Sequence, residues 1–201
     1  MSNRSIHTLL KSWDEECPLT REEAVEVLNL PEEEMDSLME CAYALRTKYK
    51  GKKVSVQLLT NVRSGNCTQN CAYCAQSKDS QAEIEKYKRV SDEKLYGDND
   101  LVDEKHLARH CIGLSGIGFS DEEIEDLADR IREMKKKDTQ ICCSIGFLTE
   151  KQARILKDAG LDRINHNLNS SRSFYPEICT THTYDPVSYT HLRAHETRHD
   201  L

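Results

Sequence analysis

The chain has 201 residues, with hydrophobic residues at 37% and aromatics at 6%, enough for one domain of ordinary size with a modest core. Its 35 acidic residues against 28 basic ones give a net charge of -7, which repels phosphate backbones and anionic lipid. Nucleic acid and membrane surfaces are thereby excluded as expected partners, a small molecule is favoured, and without a bilayer-spanning apolar run or a signal-peptide core in residues 1–10 the expected location is the cytoplasm.

Residues 1–50 read as a helical extension. Thr20 and Glu23 have the spacing of a capping box ahead of Ala24, Val25, Val27 and Leu28, and Pro31 suits the first turn of a second helix carrying Met35, Leu38, Met39 and Leu45. Cys17 and Cys41 belong to this packing layer and are given no chemistry. From Lys53 onward, strand-like pieces at residues 54–59, 109–115, 140–146 and 162–168 alternate with helical ones, the pattern of a parallel sheet with crossover helices. Ser120 and Glu123 cap a helix with Ile124, Leu127, Ala128 and Ile131 on one stripe, and a further helix over 149–159 stops at Gly160. The crossover over 77–106 contains Gly97-Asp98-Asn99-Asp100, which predicts a broken helix or a loop.

Side chains alternate between the faces of a strand. The second strand therefore sets His110, Ile112 and Leu114 against Cys111, Gly113 and Ser115, and the third sets Ile141, Cys143 and Ile145 against Cys142 and Ser144. The fourth sets Ile164, His166 and Leu168 against Asn165, Asn167 and Asn169; in the first, Val54, Val56 and Leu58 oppose Ser55, Gln57 and Leu59. Buried parallel strands are usually apolar on both faces. Amides buried without partners cost about 1–3 kcal/mol each, so the polar face is expected to line a space where a ligand forms hydrogen bonds, either a barrel lumen or the crevice of an open sheet. The same period sends Cys142 to that face with Cys111, and Cys143 to the helices.

Directly after the first strand comes GNCTQNCAYC, in which Cys67, Cys71 and Cys74 gather three thiols. Nine cysteines, an odd number, in a reducing compartment are ligands or small buried hydrophobes rather than a disulfide framework. Three thiolates can hold three irons of a cubane cluster and leave the fourth open to a chelating cofactor, whereas a structural zinc knuckle would need a fourth ligand from elsewhere.

The stretches SGNCTQNCAYCAQS, IEKYKRVSDE, RHCIGLSG, ICCSIGFLTEKQARILKDAGLDRINHNLNSS and CTTHTYD resemble radical S-adenosylmethionine enzymes, and biotin synthases among them, over residues 19–185. The resemblance implies an α/β fold, a partial TIM-type (β/α) barrel of about four of the eight units, spanning residues 51–185 and preceded by the helical extension of residues 1–50. It implies that Cys67, Cys71 and Cys74 hold a 4Fe–4S cluster whose open iron chelates S-adenosylmethionine, with Tyr73 near the adenine and Asn167 and Asn169 about the ribose. Asn165 and Asn167 match contacts to the ureido ring of dethiobiotin, and Cys111 and Cys142 match ligands of a second iron–sulfur cluster, 2Fe–2S or of another type, that donates sulfur. The implied reaction makes biotin from dethiobiotin through a 5'-deoxyadenosyl radical. The implied partners are an electron donor such as flavodoxin or ferredoxin, the iron–sulfur assembly machinery, and a second copy in a homodimer of the full-length protein. The alternatives are a sister radical enzyme of the hydrogenase-maturation or methylornithine synthase type, and a non-catalytic metal-binding module.

Several positions depart from this pattern. Eight strand–helix units need about 250 residues, so four units are expected to leave an exposed sheet edge, and the later cysteine and arginine that complete the second cluster have no counterpart. Thr68-Gln69-Asn70 replaces an acidic pair, Ile164 stands where tyrosine is common, and Cys179 falls in a loop-like segment without an assigned role. His106, His110 and His182 read as surface or packed residues, while His166 reads as a structural hydrogen-bonding residue. Residues 186–201 resemble translated adapter sequence and are expected to be unstructured, although His191, His195 and His199 would share one face of a helix.

Overall fold

The computed structural model describes residues 19–196, and the chain divides into two compact units between residues 54 and 55. In the first unit, α1 (Arg21–Leu28) opens with the expected capping box: the Thr20 side chain accepts from the Glu23 N–H, and the Glu23 carboxylate accepts from the Thr20 N–H. A 3-10 turn (Glu32–Glu34) follows Pro31 and leads into α2 (Met35–Lys50), which Gly51 ends in a left-handed conformation. Neither α-helix has a buried residue, and Leu28 and Met39 remain exposed. No helix among the described residues is long and apolar enough to cross a membrane.

The second unit is built on four parallel strands in the order β1 (Gln57–Arg63), β2 (Arg109–Leu114), β3 (Ile141–Ser144) and β4 (Arg163–Asn165). Helices α3 (Asp92–Glu104), α4 (Asp121–Met134) and α5 (Glu150–Asp158) form the three crossovers, followed by short α6 (Tyr175–Ile178) and α7 (Tyr184–Glu196). The core lies between one sheet face and these crossovers, where Ile112, Ile141 and Cys143 meet Ile124, Leu127, Ile131 and Leu156. Helix α4 carries the predicted cap at Ser120, α5 is capped by Thr149, expected as the first residue of the helix itself, and Gly160 turns the chain back with a positive φ.

Three expectations are corrected. The first strand lies later than residues 54–59, because Thr60 and Val62 are the residues its period sends to the helices while Gln57, Leu59 and Asn61 stay exposed. The fourth is only three residues long, ending before the asparagines at 167 and 169. The tail forms α7 through Glu196 instead of being unstructured from residue 186, held by Val187, which is buried against Tyr175 and Cys179. His199 lies outside the described residues.

The crossover at residues 77–106 also differs from expectation. Gly97-Asp98-Asn99-Asp100 does not break α3, which runs through it from an N-cap at Ser91. The polar residues are held by tertiary hydrogen bonds: the Thr60 hydroxyl donates to Asp98 at 2.6 Å, and Lys94 pairs with Asp98 at 2.5 Å. Nε2 of His110 lies 2.8 Å from the Thr60 oxygen, its Nδ1 lies 3.2 Å from Asn99 Oδ1, and the Asn99 amide donates to the Met134 carbonyl at 3.2 Å. Asp98, Asn99, Thr60 and His110 are all buried, so this group ties α3 to β1, β2 and the end of α4 from inside the core. His110, expected as a surface or packed residue, is fully buried at its centre.

Replacing Thr60 by valine keeps the shape but leaves Asp98 and His110 facing a methyl group. Thr60→Val is expected to lower stability in urea by about 1–3 kcal/mol, and Thr60→Ser to recover most of it. A valine variant with an unchanged midpoint and slope would show that the hydroxyl does not hold α3 in place.

Candidate metal centre

The chain leaves β1 through Gly65 and Asn66, both with positive φ, at the carboxyl end of the sheet where parallel α/β enzymes place their chemistry. A Cβ on Gly65 would lie 2.6 Å from the Lys86 side chain, so glycine both permits the turn and admits the close approach. Ser115, at the end of β2, donates to the Gly65 carbonyl at 2.6 Å, and the Gly65 N–H donates to Gln76 at 2.9 Å. These bonds pin the start of the loop carrying Cys67, Cys71 and Cys74. A tight turn from the Cys74 N–H to the Cys71 carbonyl at 3.1 Å brings the last two cysteines near each other, with Tyr73 exposed between them.

The far side of the loop is clamped by Asn70. Its Oδ1 accepts from the Thr180 N–H at 3.0 Å and the Thr181 N–H at 3.2 Å, while its Nδ2 donates to the Thr180 hydroxyl at 2.6 Å. The Ala72 N–H adds a bond to the Ile178 carbonyl at 2.9 Å. Asn70 belongs to the triplet that departs from the family pattern, and no feature near it in sequence signals a partner 110 residues away.

All three motif thiols are free and half-buried. Their sulfurs do not form a group within 4.8 Å of one another, the spacing of ligands about a single ion. A wider spread suits thiolates that each bind a separate iron, so the donor set fits a cluster better than a mononuclear knuckle. Burial, and then the neighbouring Cys179, push the Cys71 thiol up to about 12.

Cys179 stands 3.8 Å from Cys71, sulfur to sulfur, and 3.2 Å from Nδ1 of His182. The expectation that Cys179 has no role and that His182 is a surface or packed residue missed this grouping; Cys179 and His182, three apart in sequence, were its visible signal. His182 is held by the Tyr175 hydroxyl at Nε2 and by Gln69 at Nδ1, both at 2.9 Å, with the Phe147 ring edge-on beside it. Burial, helped by His166, lowers the His182 pKa and favours its neutral ring.

On the sheet face away from the crossover helices, Cys111 and Cys142 stand on the same side, as their strand period predicts, and are direct register partners on β2 and β3. Burial, and then Cys111, push the Cys142 thiol up to about 11. Asn165, Asn167 and Asn169 are exposed in and beyond β4, with Asn169 in a left-handed turn, while Ile164, His166 and Leu168 are half-buried. The structure therefore brings Cys71 and Cys74 together at the loop turn and Cys111 and Cys142 together on the sheet. It leaves the asparagines at the rim beyond β4.

A family model described as the radical SAM superfamily matches residues 61–200, and the chain belongs to that superfamily. Among curated proteins it is 40% identical over 168 residues to the biotin synthases of Geobacillus kaustophilus (strain HTA426) and Bacillus subtilis (strain 168), in each case over 83% of this chain and 50% of the relative. The chain thus spans about half the length of the curated relatives it matches. Among solved structures, methylornithine synthase (PylB) superposes with a TM-score of 0.79 at 14% identity, over 94% of this chain and 55% of that one. The hydrogenase maturase HydG from Carboxydothermus hydrogenoformans gives 0.77 at 22% identity, over 95% and 44%. These two likenesses establish the fold, that of the first strands and helices of a radical SAM barrel.

Two outcomes test the site's construction. Asn70→Ala is expected to speed hydrogen exchange at the Thr180 and Thr181 amides by about thirtyfold while β1 to β3 stay protected, since two acceptor contacts of about 1 kcal/mol each are lost. Unchanged exchange would remove the clamp from the account. In the metal-free chain, alkylation of Cys142 by iodoacetamide, followed by peptide mass spectrometry, is expected to keep rising about tenfold per pH unit from roughly pH 8 to 10, because only the thiolate reacts. An ordinary thiol of pKa about 8.5 levels off within that range, and such a plateau at Cys142 would contradict its burial beside Cys111.

Proposed function

We propose that this chain carries the cluster-binding and cofactor-binding half of a biotin synthase-type radical enzyme, with dethiobiotin as substrate. The observation that carries this reading is the pairing of Cys111 with Cys142 on the open sheet face, beside a three-cysteine loop at the carboxyl end of β1. A second pair of thiols on one sheet face suits a second cluster that donates sulfur. The 40% identity to biotin synthases supports the same choice over the hydrogenase-maturation and methylornithine alternatives, whose likeness rests on fold.

Cys67, Cys71 and Cys74 would hold a 4Fe–4S cluster with one iron free for S-adenosylmethionine. A cluster held there would supply one-electron reducing chemistry to S-adenosylmethionine bound at its open iron, the source of the radical that the reaction requires. The chain's own residues do the rest. The Gly65 turn and the Asn70 clamp fix where the three sulfurs stand, Tyr73 offers a ring for the adenine, and Asn167 and Asn169 offer amides to the ribose hydroxyls. Asn165 and Asn167 present donors and acceptors that suit a ureido ring and do not titrate. Cys111 and Cys142 would ligate a second iron–sulfur cluster as the sulfur source. A small redox protein such as flavodoxin or ferredoxin would deliver electrons, the cluster-assembly machinery would load the irons, and the full-length protein would pair as a homodimer in the cytoplasm.

Anaerobic reconstitution with iron and sulfide, iron counting, and spectra of the reduced chain with and without S-adenosylmethionine test this reading. The expected result is a cluster of about four irons whose reduced signal shifts on adding the cofactor, lost in Cys74→Ala. Further iron that disappears in Cys111→Ser and Cys142→Ser is expected on top of it. A cluster indifferent to the cofactor and to Cys74→Ala would overturn the assignment.

A further inference from the structure

Cys71, Cys179 and His182 bring two thiol sulfurs and a ring nitrogen within 4.8 Å of one another, the one such metal-competent group among the described residues. Its dimensions are those of a single tetrahedral ion. Metal–sulfur bonds of about 2.3 Å hold two sulfurs about 3.8 Å apart on a tetrahedron, and the Cys71 and Cys179 sulfurs are 3.8 Å apart. Sulfur and nitrogen on the same ion lie about 3.5 Å apart, against 3.2 Å from Cys179 to His182 Nδ1.

The surroundings also suit a ligating imidazole. Nε2 of His182 meets the Tyr175 hydroxyl at 2.9 Å, the outer hydrogen bond that fixes the tautomer and ring plane when Nδ1 binds a metal. Nδ1 faces Gln69 Oε1 at 2.9 Å, a contact an incoming ion would replace. Cys179 is buried while Cys71 and His182 are half-buried, so an ion can reach the group from solvent.

We propose that the cluster-free chain binds one thiophilic divalent ion of the zinc type through Cys71 Sγ, Cys179 Sγ and His182 Nδ1. Two thiolates and an imidazole select such ions, both thiols releasing their protons to solvent on binding, and three protein ligands leave one coordination position open. Cys71 also belongs to the Cys67-Cys71-Cys74 motif, so an ion here and a cluster there compete for one sulfur. The site is distinct from a knuckle made by the motif itself, because it uses neither Cys67 nor Cys74.

Anaerobic titration of the metal-free 201-residue chain with cobalt(II), read by its thiolate charge-transfer band and tetrahedral visible bands, decides the matter. The expected result is one cobalt per chain, displaced by zinc, with the bands retained in Cys67→Ala and Cys74→Ala. Cys179→Ser and His182→Gln are expected to weaken binding by more than about tenfold, with circular dichroism confirming that both remain folded. Absence of tetrahedral cobalt in the parent chain overturns the proposal, as do bands that survive both Cys179→Ser and His182→Gln. Bands lost in Cys67→Ala do the same, by moving the ion to the motif. Since Cys67→Ala cannot fill the cluster motif, a positive result there stands whatever becomes of the radical-enzyme reading.

Discussion

The structure depends on the alternation of side chains along parallel strands whose crossovers all lie on one face. That single constraint sends Ile112, Ile141 and Cys143 into the helices and leaves Cys111 and Cys142 on the opposite face, side by side because β2 and β3 pair in register. A shift of one residue in either strand would exchange these roles, turning that strand's thiol toward the helices and its isoleucines to the opposite face. The apolar core and the chemistry-bearing face are therefore set by the same backbone register.

The helix-facing side is not wholly apolar. Thr60, Asp98, Asn99 and His110 meet inside it, and their hydrogen bonds replace the water each loses on burial. The arrangement explains how α3 tolerates Gly97 within a run of polar residues: what helix propensity lacks, tertiary hydrogen bonds to two strands and to α4 supply. The outer edge of β1 is partly covered in turn, with Tyr87 and Ser64 exchanging backbone bonds and the Val90 N–H reaching the Val62 carbonyl.

At the carboxyl end of the sheet, two distant pieces of chain are made into one site. The loop carrying Cys67, Cys71 and Cys74 rests on residues 178–182 through Asn70 and Ala72, and that contact is what places Cys179 and His182 beside Cys71. A loop of this kind is costly to order by itself, and its hydrogen bonds to a segment anchored by buried Tyr175 and Val187 offset that cost. The tail helix α7 thus contributes to the site indirectly, by burying Val187 beneath the residues that hold the loop.

Much of this was legible from local pattern. The capping boxes at Thr20 and Ser120, the four parallel strands, the opposed faces of β2 and β3, and the grouping of Cys67, Cys71 and Cys74 all follow from spacings of two to seven residues, because backbone periodicity and cap chemistry act at that range. The limits of β1 were less readable, since Thr60 is polar by composition yet faces the core, and its burial depends on Asp98 and His110, 38 and 50 residues away. The continuity of α3 was hidden for the same reason. The joining of Cys71 to Cys179 and His182 spans more than a hundred residues and is decided by how the loop after β1 meets the segment before α7. The sequence by itself determined which residues share a strand face and which thiols share a loop; only the tertiary structure decided which polar residues are satisfied inside the core and which distant thiol and ring stand beside Cys71, because those outcomes rest on contacts that exist only once the chain has closed on itself.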